Sequence, residues 1–249
     1  MNMEPVTIDA KNLHYTPLNI RIRELIAEGK KKIILNNICG QRFIGNGIRG
    51  DDVEITVNGV PGGDLGMFMC GPTIIVHGNC DHAPGNTMDS GKIVIHGSAG
   101  DATAHSMRGG EVFVKCDIGY RGGIHMKEYS EKRPVLIVGG KAGSFSGEYM
   151  AGGLLIILGI DRDAPVKGKG IGSGIHGGKI IIRGDIDEKL LGIGAKKEPL
   201  TEDDRKDLEK YLKEYCRLFD YDYKELSESV YTKIVPASAR PFAGKYCWE

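Results

Sequence analysis

Two segments carry a glycine spacing able to cradle a dinucleotide: Gly45-Asn-Gly47-Ile-Arg-Gly50 and Gly172-Ser-Gly174-Ile-His-Gly177. That chemistry needs a strand before the glycines and a helix after them, so that the helix N-terminus meets the pyrophosphate. Both segments run instead into β-rich stretches, Val53–Val57 and Ile180–Ile182, so these glycines are expected at corners. Metal binding would want clustered Cys and His. Cys70, Cys80 and His82 come nearest, but C-x9-C-x-H is not a zinc spacing and no C-x2-C occurs. His77 and His96 lie 19 residues apart, which would stack their imidazoles either as a metal pair or as a hydrogen-bonded ladder on a strand face. Gly143-Ser-Phe-Ser-Gly147 lacks the Gly-x-Ser-x-Gly order of a nucleophile elbow. Acids such as Asp101 and Glu148 occur, but no three align at one period, as a polysaccharide-cleaving face would require. No catalytic, cofactor-binding or metal-binding residue is therefore assigned.

The elements that hold these residues follow from a repeat. Eight β-rich runs end at Asn37, Gly59, Gly78, Gly97, Cys116, Gly140, Gly159 and Gly184. Their spacings are 22, 19, 19, 19, 24, 19 and 25, one period with short insertions. Each is followed by a glycine pattern, clearest as Gly100 to Gly110, with Gly109 and Gly110 closing it. It recurs from Gly143 through Gly147 to Gly152 and Gly153. A methionine column, Met69, Met88, Met107, Met126 and Met150, keeps step. About 19 residues are too few for a strand–helix–strand unit or a propeller blade. What fits is a coil of short strands stacked into a solenoid, with apolar columns inside and glycine at corners needing positive φ. The expected class is all-β, a parallel β-helix of 7–8 coils. The methionines are expected as internal fillers, and Cys39 and Cys80 as packing residues in a small or apolar column with Pro61, Ala99, Ile118, Ala142, Asp161 and Ile186.

Solenoid ends need capping. Residues 1–30 are expected as a capping strand and helix, with Thr16 as N-cap and Pro17 at the first helical position. Residues 31–187 form the β-helix. Residues 188–249 hold a helix opened by a capping box at Thr201 to Asp204, then an irregular aromatic docking tail with Phe242, Tyr246 and Trp248. The charged run Lys127 to Pro134 is a solvated loop or a partner contact.

Composition bounds the rest. Thirty-three Lys+Arg balance 33 Asp+Glu, which argues against nucleic acid or an anionic membrane as partner. The 37 glycines are about twice the usual share of roughly 7%, and they are expected at sharp turns or close backbone contacts. No targeting signal or membrane span is expected, and the six cysteines are expected as reduced thiols in a cytoplasmic chain.

The repeated glycine pattern resembles the GXGXG β-helix domain of the glutamate synthase large subunit, over roughly Val6 to Ile186. The entry Ile8 to Leu13, the segment Asn37 to Gly45 and the tail Tyr231 to Pro236 look like the standalone archaeal-type version. A related domain occurs in the C subunit of formylmethanofuran dehydrogenase, a tungsten or molybdenum enzyme, where the same kind of scaffold is implied. The resemblance implies a right-handed, single-stranded coil and a structural subunit without catalytic residues. It would scaffold separately encoded amidotransferase and FMN/iron–sulfur synthase chains in glutamate biosynthesis. Cofactors are expected in those partners and none in this chain; self-association stays open. A free-standing β-helix enzyme acting on polysaccharide is the reading from another class.

Overall fold

The structure is a computed structural model that describes residues 4–238. In chain order the elements are β1 (Val6–Asp9), α1 (Tyr15–Ala27), β2 (Lys32–Cys39), β3 (Glu54–Val60), β4 (Cys70–His77), β5 (Ser90–Ile95) and β6 (Glu111–Val114). Then come β7 (Val135–Val138), β8 (Ala151–Ile157), β9 (Gly177–Arg183), β10 (Ala195–Glu198), α2 (Glu202–Phe219), α3 (Tyr223–Ser227) and β11 (Tyr231–Pro236). The eight expected runs are β2 to β9, stacked in sequence order as neighbouring parallel strands. This is the parallel β-solenoid, closed at one end by β1, parallel to β2, and at the other by β11 and β10, both antiparallel.

The repeat sets the register. Ile33, Ile55, Ile74, Ile93, Val112, Leu136, Leu155 and Ile180 pair in one row, at the sequence spacings themselves. That row and the row two residues on face the interior, all of it buried. Sealing each such aliphatic side chain contributes about 1.5–3 kcal/mol. Met69, Met88, Met107, Met126 and Met150 are all fully buried in the same interior core.

Helix α1 closes the first coil, with Leu18, Ile22 and Leu25 buried in the interior core. Its N-cap is His14, not Thr16: the His14 ring accepts a hydrogen bond from Thr16 N–H at 3.3 Å. Pro17 thus sits inside the first turn, where a missing N–H costs no helix hydrogen bond. Gly29, at φ +83°, ends the helix with Gly29 N–H to Ile26 C=O and Lys30 N–H to Leu25 C=O, a Schellman closure. The capping box of α2 forms as expected between Thr201 and Asp204.

Three further expectations are corrected. Cys39 is exposed, because the β2–β3 register shifts between Leu35 and Ile38; that irregularity reverses the in–out alternation and buries Ile38 instead. Asp161 is exposed, and Val166 takes its place against Ala142, so the insertion in this coil precedes the packing residue. The stretch after α2 is regular in its described part: it forms α3 and β11, and β11 extends the main sheet. Phe242, Tyr246 and Trp248 lie outside the described residues. No helix among the described residues is long and apolar enough to cross a membrane.

Candidate functional site

Each coil turns through a corner whose backbone alternates between right- and left-handed regions. Three positions per coil, two residues apart, have positive φ: Phe43, Gly45 and Gly47 in the first coil, Arg121, Gly123 and His125 in a middle one, Gly170, Gly172 and Gly174 in the last. The middle position points inward. A Cβ on Gly147 would lie 2.4 Å from Ile180 Cδ1, so space on the core side of this corner is tight, and the one side chain at the inward position is the small, fully buried Ala104. The outer two face solvent, and there Phe68, Tyr149 and other residues with side chains adopt the left-handed backbone. In the last coil even these are glycine, because a Cβ on Gly170 or Gly174 would meet the Phe145 or Tyr149 ring at 2.6 Å.

The other predicted glycines divide by cause. Gly110 and Gly153 need positive φ. Gly97, Gly100, Gly109, Gly140, Gly143 and Gly152 do not; for them the cause is close backbone contact. Each lies too close to the preceding coil for a Cβ, which at Gly143 would sit 2.7 Å from Gly119 O. Coil-to-coil approach therefore fixes these glycines as firmly as turn geometry fixes the others.

The solvent side of the corner carries a polar ladder that motif reasoning missed. Asn86 donates to Asp64 Oδ1 at 2.9 Å, and the His105 Nδ1–Asn86 Oδ1 contact is 3.1 Å. Ser106 Oγ stands 3.5 Å from His105 Nε2, and His125 lies between His105 and Tyr149. Burial, with His125 beside it, holds the His105 imidazole below its usual range. The signal was legible in part: Asn86 and His105 are one 19-residue period apart. Serine beside histidine suggests nucleophilic chemistry, but the surrounding N–H groups of Thr87, Ser106 and Met107 already donate to His105, Ile124 and Ala104 carbonyls. They are unavailable to stabilise an oxyanion.

The predicted metal candidates do not assemble. Cys80 is buried, and its thiol is pushed up to about 12 by desolvation and by Asp81 nearby. The Cys70 thiol faces Asp89 and Ser90, while His82 Nδ1 accepts from Asp101 N–H at 2.9 Å. His77 and His96 do stack, with centroids 4.9 Å apart and planes at 26°. Among the described residues no group of three or more His, Cys, Asp or Glu is placed to hold a metal ion.

The outer face of the sheet forms a second apolar surface. Val94, Phe113, Ile137, Ile156 and Ile181 make a row there, and α2 buries it with Leu208, Tyr211, Leu212, Tyr215 and Phe219. Charged pairs fix the helix along its length. Lys179 and Lys233 hold Asp204, Arg133 reaches Asp207 at 2.9 Å, and Lys92 reaches Glu214 at 2.9 Å. Arg133 is in the charged run 127–134, so part of that loop binds this chain's own helix. Burial would raise the Asp204 carboxyl, but hydrogen bonds from Lys179, Lys233 and Thr201 outweigh it and hold it far below the usual range. Glu214 is lowered to about 2, chiefly by Arg217 and then by Lys92, against the desolvation that burial imposes. Tyr215 donates to Lys115 C=O at 2.9 Å, and Phe219 meets the His96 ring edge-on at 5.3 Å.

Comparison with known proteins gives two findings. The family model described as GXGXG motif matches residues 21–237. An uncharacterized protein of Methanocaldococcus jannaschii is 56% identical over 253 aligned positions, covering 98% of this chain and 97% of that protein.

Proposed function

This chain belongs to the GXGXG motif family, and from that premise we propose that it is a structural, non-catalytic subunit of a multi-subunit glutamate synthase. It would scaffold a glutamine-hydrolysing amidotransferase chain and a synthase chain that carries FMN and an iron–sulfur cluster. The family match, through its link to glutamate synthase-type proteins, points to this complex. The observation that carries the structural role is where the motif residues lie. Each inward glycine of the corner abuts the core, the methionines fill that core, and the outer glycines of the last coil lie under Phe145 and Tyr149. The motif thus builds a rigid stack rather than a reactive centre.

The described cysteines, Cys39, Cys70, Cys80, Cys116 and Cys216, lie apart from any group of three or more metal-ligating side chains among the described residues. Asp101 and Asp117 cap the backbone N–H groups of Tyr120 and Lys141 on the next coil, at 2.8 and 2.7 Å. They act as corner staples, which weighs against an acid-lined polysaccharide groove.

Mild affinity purification of the tagged chain from its native host, with mass spectrometry of what co-purifies, tests the proposal. An amidotransferase chain together with an FMN/iron–sulfur chain is the expected result. Tungsten or molybdenum enzyme subunits would replace it with a formylmethanofuran dehydrogenase scaffold. Absence of any stable partner would overturn the scaffold role.

A further inference from the structure

Helix α2 covers only half of the outer sheet face. Its N-terminal half lies over β9, where Lys179 meets Asp204 and Asp207, and its last turn lies over β5, where Lys92 meets Glu214 and His96 meets Phe219. There Asp220, in the left-handed region, ends the helix and α3 follows back toward β11. The row beneath the helix does not stop with it. Val94 of β5 pairs with Ile75 of β4, Ile75 with Thr56 of β3, and Thr56 with Ile34 of β2. Ile34, Thr56 and Ile75 are only half-buried, whereas their counterparts under α2 are buried. A depression of about 380 Å³ lies on this open half, lined by Glu4, Pro5, Lys32, Ile34, Glu54 and Thr56 among others.

The charged column beside the row repeats as well. Under α2 it reads Lys92 then Glu111, and α2 answers with Glu214 at 2.9 Å and Lys210 at 3.9 Å. On the open half the same column reads Lys32 then Glu54, neither with an ion-pair partner among the described residues. The open half thus repeats the receptor surface of α2: a mostly apolar row, with Thr56 between Ile34 and Ile75, beside a Lys–Glu pair on neighbouring strands. The geometry points to a second amphipathic helix, contributed by another protein chain, that lies across β2 to β4 in line with α2. It would set an acid against Lys32 and a base against Glu54. This inference rests on the scaffold reading and names the surface and kind of element by which one partner docks.

A second copy of this chain fits less well. Three strands about 4.8 Å apart and some five residues long expose roughly 240 Å². That is well below the roughly 800 Å² per partner of a stable dimer, so a second copy packed by this face alone would not hold.

The test places a photo-crosslinking benzoylphenylalanine at Ile75 of the full-length tagged chain in its native host, with a control at the exposed Lys206 of α2. Cross-linked peptides are read by mass spectrometry. The expected product joins position 75, and not 206, to a partner peptide with apolar residues at i, i+3 and i+4. Partners that co-purify without a cross-link at 75, or a cross-link there to another copy of this chain, would overturn the docking inference and leave the scaffold reading standing. No co-purifying partner would overturn both. As a second arm, the Lys32→Glu/Glu54→Lys variant should unfold at the wild-type denaturant midpoint yet bind the cross-linked partner about tenfold more weakly. Unchanged binding would likewise refute the inference.

Discussion

Asp204→Asn tests the reasoning about the second core most directly. Asp204 is 2% exposed, and its carboxylate meets Lys233 Nζ at 2.7 Å, Lys179 Nζ at 2.5 Å and Thr201 N–H at 2.9 Å. Lys233 is itself 8% exposed, and besides Asp204 it meets only the Pro199 carbonyl at 3.5 Å and Glu198 at 4.0 Å among the described residues. Asparagine keeps the shape and can still accept from Thr201, but it cannot neutralise Lys233. Removing one member of a buried ion pair strands the other charge, at a cost of about 3–5 kcal/mol. Urea unfolding followed by far-ultraviolet circular dichroism at pH 7 should show that loss. The pH profile adds a second constraint. The folded carboxyl is depressed, so its contribution is whole above the unfolded value of about 3.9 and fades as pH falls through the lower folded value. The wild-type advantage over Asp204→Asn should therefore be constant from pH 7 to about 4.5 and shrink below. Adding Lys233→Met, which removes the stranded charge, should restore at least half of the loss. A cost under about 1 kcal/mol, or no rescue by Lys233→Met, would refute the claim that this cluster depends on mutual neutralisation.

Gly147→Ala combines a φ of +71° with a Cβ 2.4 Å from Ile180 Cδ1 and should cost about 2–4 kcal/mol in the same assay. Gly40→Ala, at φ +81° in open space, should cost only about 1–2 kcal/mol, so equal losses would show that the inward position is not sterically special. Met107→Ala in the filled interior should lose about 2–5 kcal/mol, read as a lower urea midpoint. Burial, with His77 and Lys115 beside it, holds His96 below its usual range, so the folded chain resists protonation there. Stability should be undiminished above about pH 6.5 and fall as pH drops through the lower folded value; His96→Gln should flatten that slope, as measured by thermal melts across pH 5–8.

The sequence by itself determined the stack. A 19-residue period places equivalent residues one strand spacing apart, so strand order, register, interior rows and the methionine column follow from spacing alone. The stacking of His77 on His96 was legible for the same reason, as was the corner role of Gly45 and Gly172. The capping box at Thr201 was legible because its two partners are three residues apart.

What escaped had no period to announce it. Cys39 misled because a local irregularity in β2 changes the face a residue occupies without changing its column position. The glycines at Gly97 and Gly143 are fixed by the backbone of the preceding coil, and the turn signal they share with Gly147 does not distinguish the two causes. Above all, only the tertiary structure decided which half of the outer sheet α2 covers. The contacts that seat it, Lys92 with Glu214 and Tyr215 with Lys115, join residues 122 and 100 positions apart. Apolar runs show that a strand face seeks cover. Which element supplies the cover, and where it stops, depends on charges and shapes that meet only when the chain has folded back on itself.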